Sequence, residues 1–207
     1  MLLNLFMSVA LFFTALPTIN PQSSFAIPSS EKPVKWIIEK SSTLRIDGKS
    51  NVNSFSCDIE GYNRKDNIIT GSYSISQPVT LSGSLTLEII QFNCHRSLIT
   101  SDFRKTLKAD KHSEMVIRFL KIESMPELKE KSELIKGLVE VEVAGVTKEI
   151  EINYSFSKTD SDLVQLNGEK NFSFSDFNLK PPRKLAGLVR IKDDFKVSFK
   201  LMLREVK

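Results

Sequence analysis

The sequence predicts an all-β fold, an antiparallel barrel of about eight strands with one or two short helices. Apolar and polar side chains alternate with a period of two through most of the chain after residue 36, which is typical of strands with one buried and one solvated face. Turn residues separate these runs. Because so few helices are predicted to cover the apolar face, the sheet must largely close on itself to bury it.

Composition and charge are those of an ordinary folded domain. The chain has 207 residues, of which 41% are hydrophobic and 26% charged, and its formal net charge is +4. This composition argues against a disordered, collagen-like or coiled-coil chain, and the length suits one domain with a real core. Acidic and basic residues are interleaved rather than gathered into a basic cluster with aromatic residues, so we expect no nucleic-acid partner.

The N-terminal segment has the pattern of a secretory signal peptide. Residues 2–16 form a nearly continuous apolar run, and no charged side chain precedes Glu31. As a helix this run would span about 22 Å, short of the roughly 30 Å hydrocarbon core of a bilayer. Ser24 and Ala26 then supply the small residues of a cleavage site before Ile27. A short membrane anchor is the alternative, since the segment lacks Lys and Arg.

We therefore divide the chain into three parts. Residues 1–26 are the predicted signal peptide, residues 27–35 a flexible lead-in, and residues 36–207 one folded domain. The expected location is periplasmic or secreted, with no permanent membrane anchor.

The two cysteines of the chain are Cys57 and Cys94. An oxidising compartment favours a disulfide bond between them, and two separate buried thiols are the alternative. A metal site would need more ligands, and the chain has only two histidines, His95 and His112. Adjacent residues such as Cys94 and His95 point to opposite faces of a strand. We therefore expect no metal ion.

The clearest alternating runs define the candidate strands. The positions between the apolar residues are mostly polar or charged, as at Glu140 and Glu142. One apolar face and one solvated face are expected of an antiparallel sheet. In chain order the runs are Leu85-Leu87-Ile89, Ile117-Phe119, Val139-Val141-Val143, Ile150-Ile152-Tyr154-Phe156 and Phe195-Val197-Phe199-Leu201-Leu203.

Short turn motifs divide these runs. Residues 145–148, Gly-Val-Thr-Lys, join the runs at 139–143 and 150–156 into a predicted hairpin. Further predicted turns lie at residues 47–48 and 167–168, and the acidic pair at 193–194 is predicted to precede the last strand.

One stretch departs from the period of two. Between residues 98 and 109 the apolar residues recur at a spacing near four, which predicts a short helix. Ser101 is predicted to cap its start, with Asp102 in the first turn. The highly charged residues 127–136 are a weaker candidate for a second helix, with a solvated loop as the alternative.

The predicted inward residues are mostly Leu, Ile, Val and Phe, with no recurring buried charge. A barrel of about eight strands either fills its interior with side chains or holds one small ligand. The residues alone leave a packed core and an apolar pocket as open alternatives.

An ordered series of short motifs runs from about residue 36 to residue 205. The motifs are Trp36 and residues 42–44, 48–55, 102–109, 116–119, 145–148, 176–182 and 187–193. In this order and spacing they resemble the YceI-like family of bacterial lipid-binding proteins. Two departures are Ser113-Glu114, where the family commonly has Pro before the Ile-x-Phe strand, and residues 61–85, which are only loosely similar.

The resemblance implies an extended, lipocalin-like antiparallel barrel of eight strands in the periplasm. Members of the family hold a polyprenyl quinone, another isoprenoid or a related long-chain lipid in an apolar tunnel, and tend toward homodimers. We therefore expect an isoprenoid or long-chain lipid ligand and no other cofactor. On the alternating faces, the candidate ligand-binding residues are Leu85, Leu87, Ile89, Ile117, Phe119, Val139, Val141, Val143, Ile152, Tyr154, Phe156, Phe172, Phe174, Val197, Phe199 and Leu201.

Catalysis finds little support in the sequence. There is no Gly-x-Ser-x-Gly, Gly-rich phosphate loop or Gly-x-Gly-x-x-Gly motif. Ser101-Asp102 and Ser175-Asp176 are pairs of the kind that cap helices and turns, so we assign no catalytic residue.

The leading hypothesis is a periplasmic lipid carrier. The alternatives are a secreted adaptor with a solid barrel that binds a protein through its loops, and a small hydrolase or isomerase acting on a lipid inside the barrel.

Overall fold

The computed structural model describes residues 32–74, 77–126, 133–159 and 162–206. The predicted signal peptide and most of the predicted lead-in lie outside these residues. The described part holds one α-helix, α1 (Ser97–Thr106), and three short 3-10 turns, Ile89–Gln91, Phe174–Phe177 and Leu185–Gly187. Its strands are β1 (Lys35–Ile38), β2 (Thr43–Ser50), β3 (Ser54–Ile59), β4 (Asn67–Thr70), β5 (Val79–Glu88), β6 (Glu114–Ile122), β7 (Glu133–Val143), β8 (Val146–Lys158), β9 (Val164–Ser173), β10 (Arg183–Lys184) and β11 (Val189–Val206).

Eight of these strands close into an antiparallel barrel. The order around the ring is β1, β4, β5, β6, β7, β8, β9 and β11. β1 pairs with both β4 and β11, which closes the ring. The predicted all-β barrel of eight strands is thereby confirmed, with one helix in the described part of the chain.

Strand β11 is long enough to pair with two partners along one side. Its residues 203–206 pair with β1, and its residues 195–200 pair with β2. The β2–β3 hairpin therefore continues the barrel wall beyond the end of β1. The outer edge of β3 meets the chain after β5 at an isolated bridge between Asp58 and Asn93.

A disulfide bond between Cys57 and Cys94 fastens this edge. Their Cα atoms are 3.9 Å apart, and both side chains are buried. Cys57 belongs to β3, and Cys94 lies just before α1. The predicted disulfide is present, and it ties the helix region to a stretch of wall that lacks continuous strand pairing.

The hairpin predicted around Gly145 is confirmed. Its pairing runs from Val143 and Val146 to Glu133 and Phe156, so both strands are longer than the sequence pattern indicated. The turn residues Ala144 and Gly145 have φ values of 52° and 80°. Two successive positive φ values are typical of the type I′ turn, which connects many two-residue hairpins.

Two predicted turns are wrong, because residues 47–48 lie inside β2 and residues 167–168 inside β9. At both positions the glycine leaves room for an aromatic ring. The ring of Phe55 covers Gly48, and the ring of Phe199 covers Gly168, each occupying the space of a β-carbon. Close side-chain approach, rather than a turn, accounts for these glycines.

A third boundary also differs from the prediction. The acidic pair at residues 193–194 lies within β11 instead of before it. The pairing of β11 with β2 shifts register between Ile191 and Phe195, so the strand passes through an irregularity without ending.

The predicted helix is present but begins at Ser97. Ser101 is therefore inside α1 and does not cap it, and the N-cap position is Arg96.

Residues 127–132 of the second helical candidate lie outside the described part, and from Glu133 onward the chain is strand β7. Within the described ranges, no helix has the length and apolarity to traverse a bilayer.

Candidate functional site

The interior of the barrel contains an apolar cavity of about 100 Å³. The inward faces of the strands surround it. Phe103 of α1 and Leu107, directly after α1, complete its lining. Its lining residues are Leu44, Ile46, Gly48, Phe55, Leu85, Leu87, Phe103, Leu107, Met115, Ile117, Phe119, Val141, Val143, Ile152, Tyr154, Lys170, Phe172, Phe174, Phe177, Leu179, Phe195, Val197, Phe199 and Leu201. We call this space the central cavity.

Two of the cavities that adjoin the central one share aromatic residues with it. A small inner cavity of about 40 Å³ shares Phe119 and Tyr154 with it. On the other side, a larger pocket of about 510 Å³ shares Phe55, Phe103 and Phe174 with it. We call this larger space, which lies between β3, α1 and the start of β11, the mouth pocket. The three spaces thus form a row, with aromatic rings at both junctions.

Most of the predicted ligand-binding residues meet at the central cavity. Phe156 lines the inner cavity instead. Ile89 and Val139 are buried in the core and line none of the three spaces. The predicted residues that line the central cavity are Leu85, Leu87, Ile117, Phe119, Val141, Val143, Ile152, Tyr154, Phe172, Phe174, Val197, Phe199 and Leu201.

Several lining residues were not predicted from the sequence. Leu44 and Ile46 alternate with more exposed residues along β2, as the predicted strands do. The turn predicted at residues 47–48 placed the end of a strand directly after them. Phe195 belongs to a recognised run and would have followed from the same alternation. Phe55 and Phe103 had no comparable signal, because contact with the cavity depends on how β3 and α1 pack at the barrel end.

Lys170 departs from the apolar lining. It alternates along β9 with Gly168 and Phe172, so it lies on the inward face. No ion pair joins its ammonium to any described residue. The ladder between β8 and β9 ends at the pair Asn153 and Glu169, immediately before this position. Its aliphatic stem is compatible with an apolar wall, while the charge is available to a ligand or to solvent.

Tyr154 forms part of the junction between the central and inner cavities. Its ring lies edge-on to Phe156 and Phe199, with centroids 6.1 Å and 5.9 Å apart. Burial raises the pKa of the Tyr154 hydroxyl above its ordinary value, so the phenol stays neutral. Within the described residues this hydroxyl has no hydrogen-bond partner, which leaves a donor beside the cavities.

The mouth pocket is more polar than the central cavity. Lys184 of β10 and Asp102 of α1, which both line it, form an ion pair at 2.6 Å. This contact links the helix to the segment before β11. Asp102 thus stabilises the barrel end through a side-chain pair instead of marking the first turn of the helix.

The Ser-Asp pairs have structural roles in this fold. The Ser175 hydroxyl donates to Asp193 at 2.6 Å, and Asp176 accepts from the backbone amide of Ser173 at 2.8 Å. Ser101 is exposed on α1. Across the described ranges, no three His, Cys, Asp or Glu side chains are grouped to hold a metal ion.

A closed antiparallel barrel of eight strands belongs to the class of small β-barrels, which either fill their interior with side chains or hold one small ligand. The YceI-like domain model matches residues 36–203. The chain therefore belongs to the YceI-like domain family. Among the curated proteins compared, none matches this sequence significantly.

Solved structures share the fold at low sequence identity. One is a polyisoprenoid binding domain from Saccharophagus degradans implicated in plant cell wall breakdown. It is 11% identical, with a TM-score of 0.61 over 82% of this chain and 97% of that one. Another is BcnA of Burkholderia cenocepacia, which is 12% identical, with a TM-score of 0.58 over 78% of this chain and 95% of that one. At these identities the likeness concerns the fold alone.

Proposed function

We propose that this protein binds an isoprenoid or another long-chain amphiphile inside the barrel and carries it in the periplasm. The observation that carries the proposal is the row of three cavities, in which neighbouring cavities share aromatic lining residues. The polyisoprenoid binding domain with the same fold supports the choice of ligand class. The secretory pattern of residues 1–26 supports the location.

The central cavity is too small for a long chain with its side chains as they stand. An engineered apolar cavity of about 150 Å³ admits benzene, and the central cavity has about 100 Å³. A bound chain must therefore displace rings at the junctions, so that the three spaces join. Each CH₂ group that leaves water contributes about 0.8 kcal/mol, which offsets the cost of moving the rings.

A polar headgroup would have two contacts available near the cavities. The neutral Tyr154 hydroxyl can donate a hydrogen bond at the inner end. The Lys170 ammonium can meet a carbonyl or an anion along β9. In both cases the polar atom of the ligand would satisfy a group that has no partner among the described residues.

The first prediction concerns the ligand itself. Mass spectrometry of an organic extract of the purified protein should show a long-chain lipid. The substitution Val141→Arg places a charge on the cavity wall, where an unpaired buried charge is costly, and should reduce the copurified lipid by about tenfold or more. Leu134→Arg is the matched control, since Leu134 lies on the same strand and is 69% exposed.

Two further measurements keep this test decisive. Circular dichroism separates loss of lipid from loss of fold, and the milder Val141→Phe fills the cavity with less risk to folding. A folded Val141 variant at full lipid occupancy would show that Val141 does not face the ligand. Wild-type protein that carries no lipid and binds none added would overturn the proposal in favour of the adaptor with a solid core.

The second prediction concerns export. We expect the mature protein to begin near Ile27, because the small residues Ser24 and Ala26 suit signal peptidase. Intact-mass measurement of protein from the periplasmic fraction should show that residues 1–26 are missing. Retention of these residues in a membrane fraction would identify the segment as an anchor.

A further inference from the structure

Large apolar side chains are exposed around the mouth pocket. Leu98 of α1 is 79% exposed, Leu185 and Leu188 before β11 are 71% and 75% exposed, and Val52 between β2 and β3 is 60% exposed. Leucines are usually among the buried residues of a domain. We call these four side chains the apolar rim.

Polar contacts hold the apolar rim around one opening. The Asn51 side chain donates to the backbone carbonyl of Leu188 at 2.9 Å, which places Val52 near Leu188. The ion pair of Lys184 with Asp102 brings the segment of Leu185 to α1. Leu98 is four residues before Asp102 and thus on the same side of the helix.

The same end of the barrel carries a run of positive charge. Residues 180–192 contain five basic residues and no Asp or Glu. All five are exposed. They are Lys180, Arg183, Lys184, Arg190 and Lys192.

Two of these cations face each other directly. Arg183 and Arg190 are partners in the ladder between β10 and β11. Like charges in this position destabilise a sheet, and neither residue has an ion pair within the described ranges. Such a pair is suited to an anion from outside the protein.

We propose that the apolar rim and residues 180–192 dock on the surface of an anionic lipid bilayer, with the mouth pocket facing the membrane. This inference rests on the proposed function. Leucine side chains enter the boundary between headgroups and acyl chains, and Lys and Arg are drawn to anionic headgroups. A bilayer on the apolar rim would present acyl chains to the mouth pocket. An acidic protein bound there would instead block the entry of a lipid.

The test measures cosedimentation with vesicles of phosphatidylcholine, with and without phosphatidylglycerol. The wild-type protein should bind the anionic vesicles, and less so as salt increases. Leu185→Asp combined with Leu188→Asp should lower the partition constant by about tenfold or more. Arg183→Gln combined with Arg190→Gln should lower binding to the anionic vesicles by about tenfold and leave binding to neutral vesicles unchanged.

Matched controls come from other parts of the barrel. Leu134 is 69% exposed at the end of β7 away from the Gly145 turn, so Leu134→Asp should not change vesicle binding. Lys200→Gln removes an exposed charge midway along β11 and should also have no effect. All variants share the same N-terminus, so any contribution of residues 2–16 is common to them.

Vesicle binding by the rim variants equal to that of the wild type would overturn the docking proposal. Wild-type protein that carries lipid but ignores anionic vesicles would overturn it while leaving the proposed function standing. Wild-type protein that binds anionic vesicles through the rim but carries no lipid would support docking and contradict the carrier. Capture of an acidic protein by the rim, without vesicle binding, would replace the bilayer with a protein partner.

Discussion

The hydroxyl groups of two buried tyrosines have opposite surroundings. The Tyr62 hydroxyl donates to the Asp66 carboxylate, which also accepts the backbone amide of Thr86 at 2.9 Å. Burial raises the pKa of Tyr62 above its ordinary value, and the hydrogen bond with Asp66 adds to the effect. This network holds the chain between β3 and β4 against β5. The Tyr154 hydroxyl has no comparable partner in the described part of the chain.

The third prediction compares these two phenols. Tyr62→Phe should lower the free energy of unfolding by about 1–3 kcal/mol, because it leaves buried polar groups with fewer partners. Tyr154→Phe should leave stability unchanged or raise it, because the lost hydroxyl makes no hydrogen bond to a described residue. Urea unfolding of both variants measures the difference. Equal losses would show that the Tyr154 hydroxyl is satisfied in the folded protein.

At the scale of elements, a disulfide bond connects β3 to the segment just before α1. The ladder there consists of the isolated bridge between Asp58 and Asn93, beside the disulfide of Cys57 and Cys94. The ring of Phe103 also packs on Phe92, with centroids 5.1 Å apart. The disulfide therefore holds β3 and the segment before α1 together beside the mouth pocket, which Cys94 lines.

The fourth prediction concerns removal of this disulfide. The bond spans a sequence separation of 37, and in the chain-entropy model such a loop contributes about 3–4 kcal/mol. Replacing Cys57 and Cys94 by Ser should lower the free energy of unfolding by about this amount. Reductant should destabilise the wild type and have no effect on the double variant. A wild type insensitive to reductant under unfolding conditions would contradict the contribution assigned to the bond.

At the scale of the whole molecule, a lipid bound inside the barrel should raise the free energy of unfolding, as buried side chains do. A ligand that binds only the folded state stabilises it by about 2.7 kcal/mol at a concentration 100-fold above Kd. For a domain of this size, that corresponds to a rise in Tm of about 5–10 °C. The fifth prediction is therefore that delipidated protein melts lower and recovers on addition of the extracted lipid. Calorimetry measures the shift, and an unchanged Tm on adding that lipid would argue against specific binding.

Much of the fold followed from local patterns. The alternating runs identified β7, β8 and β11, and the residues around Gly145 identified their hairpin. Turn motifs were less reliable, since residues 47–48 and 167–168 lie within strands. A Gly in a turn and a Gly beneath an aromatic ring look alike in sequence, because the partner ring comes from elsewhere in the chain.

In the alternating runs, the sequence by itself determined which side chains face inward, because a strand alternates its faces with a period of two. Only the tertiary structure decided which inward residues meet a cavity. Ile89 and Val139 face solid core, whereas Phe103 reaches the cavity from a helix. The physical reason is that the free space inside depends on distances across the closed barrel. These distances are set by ring packing and strand register between residues far apart in the chain.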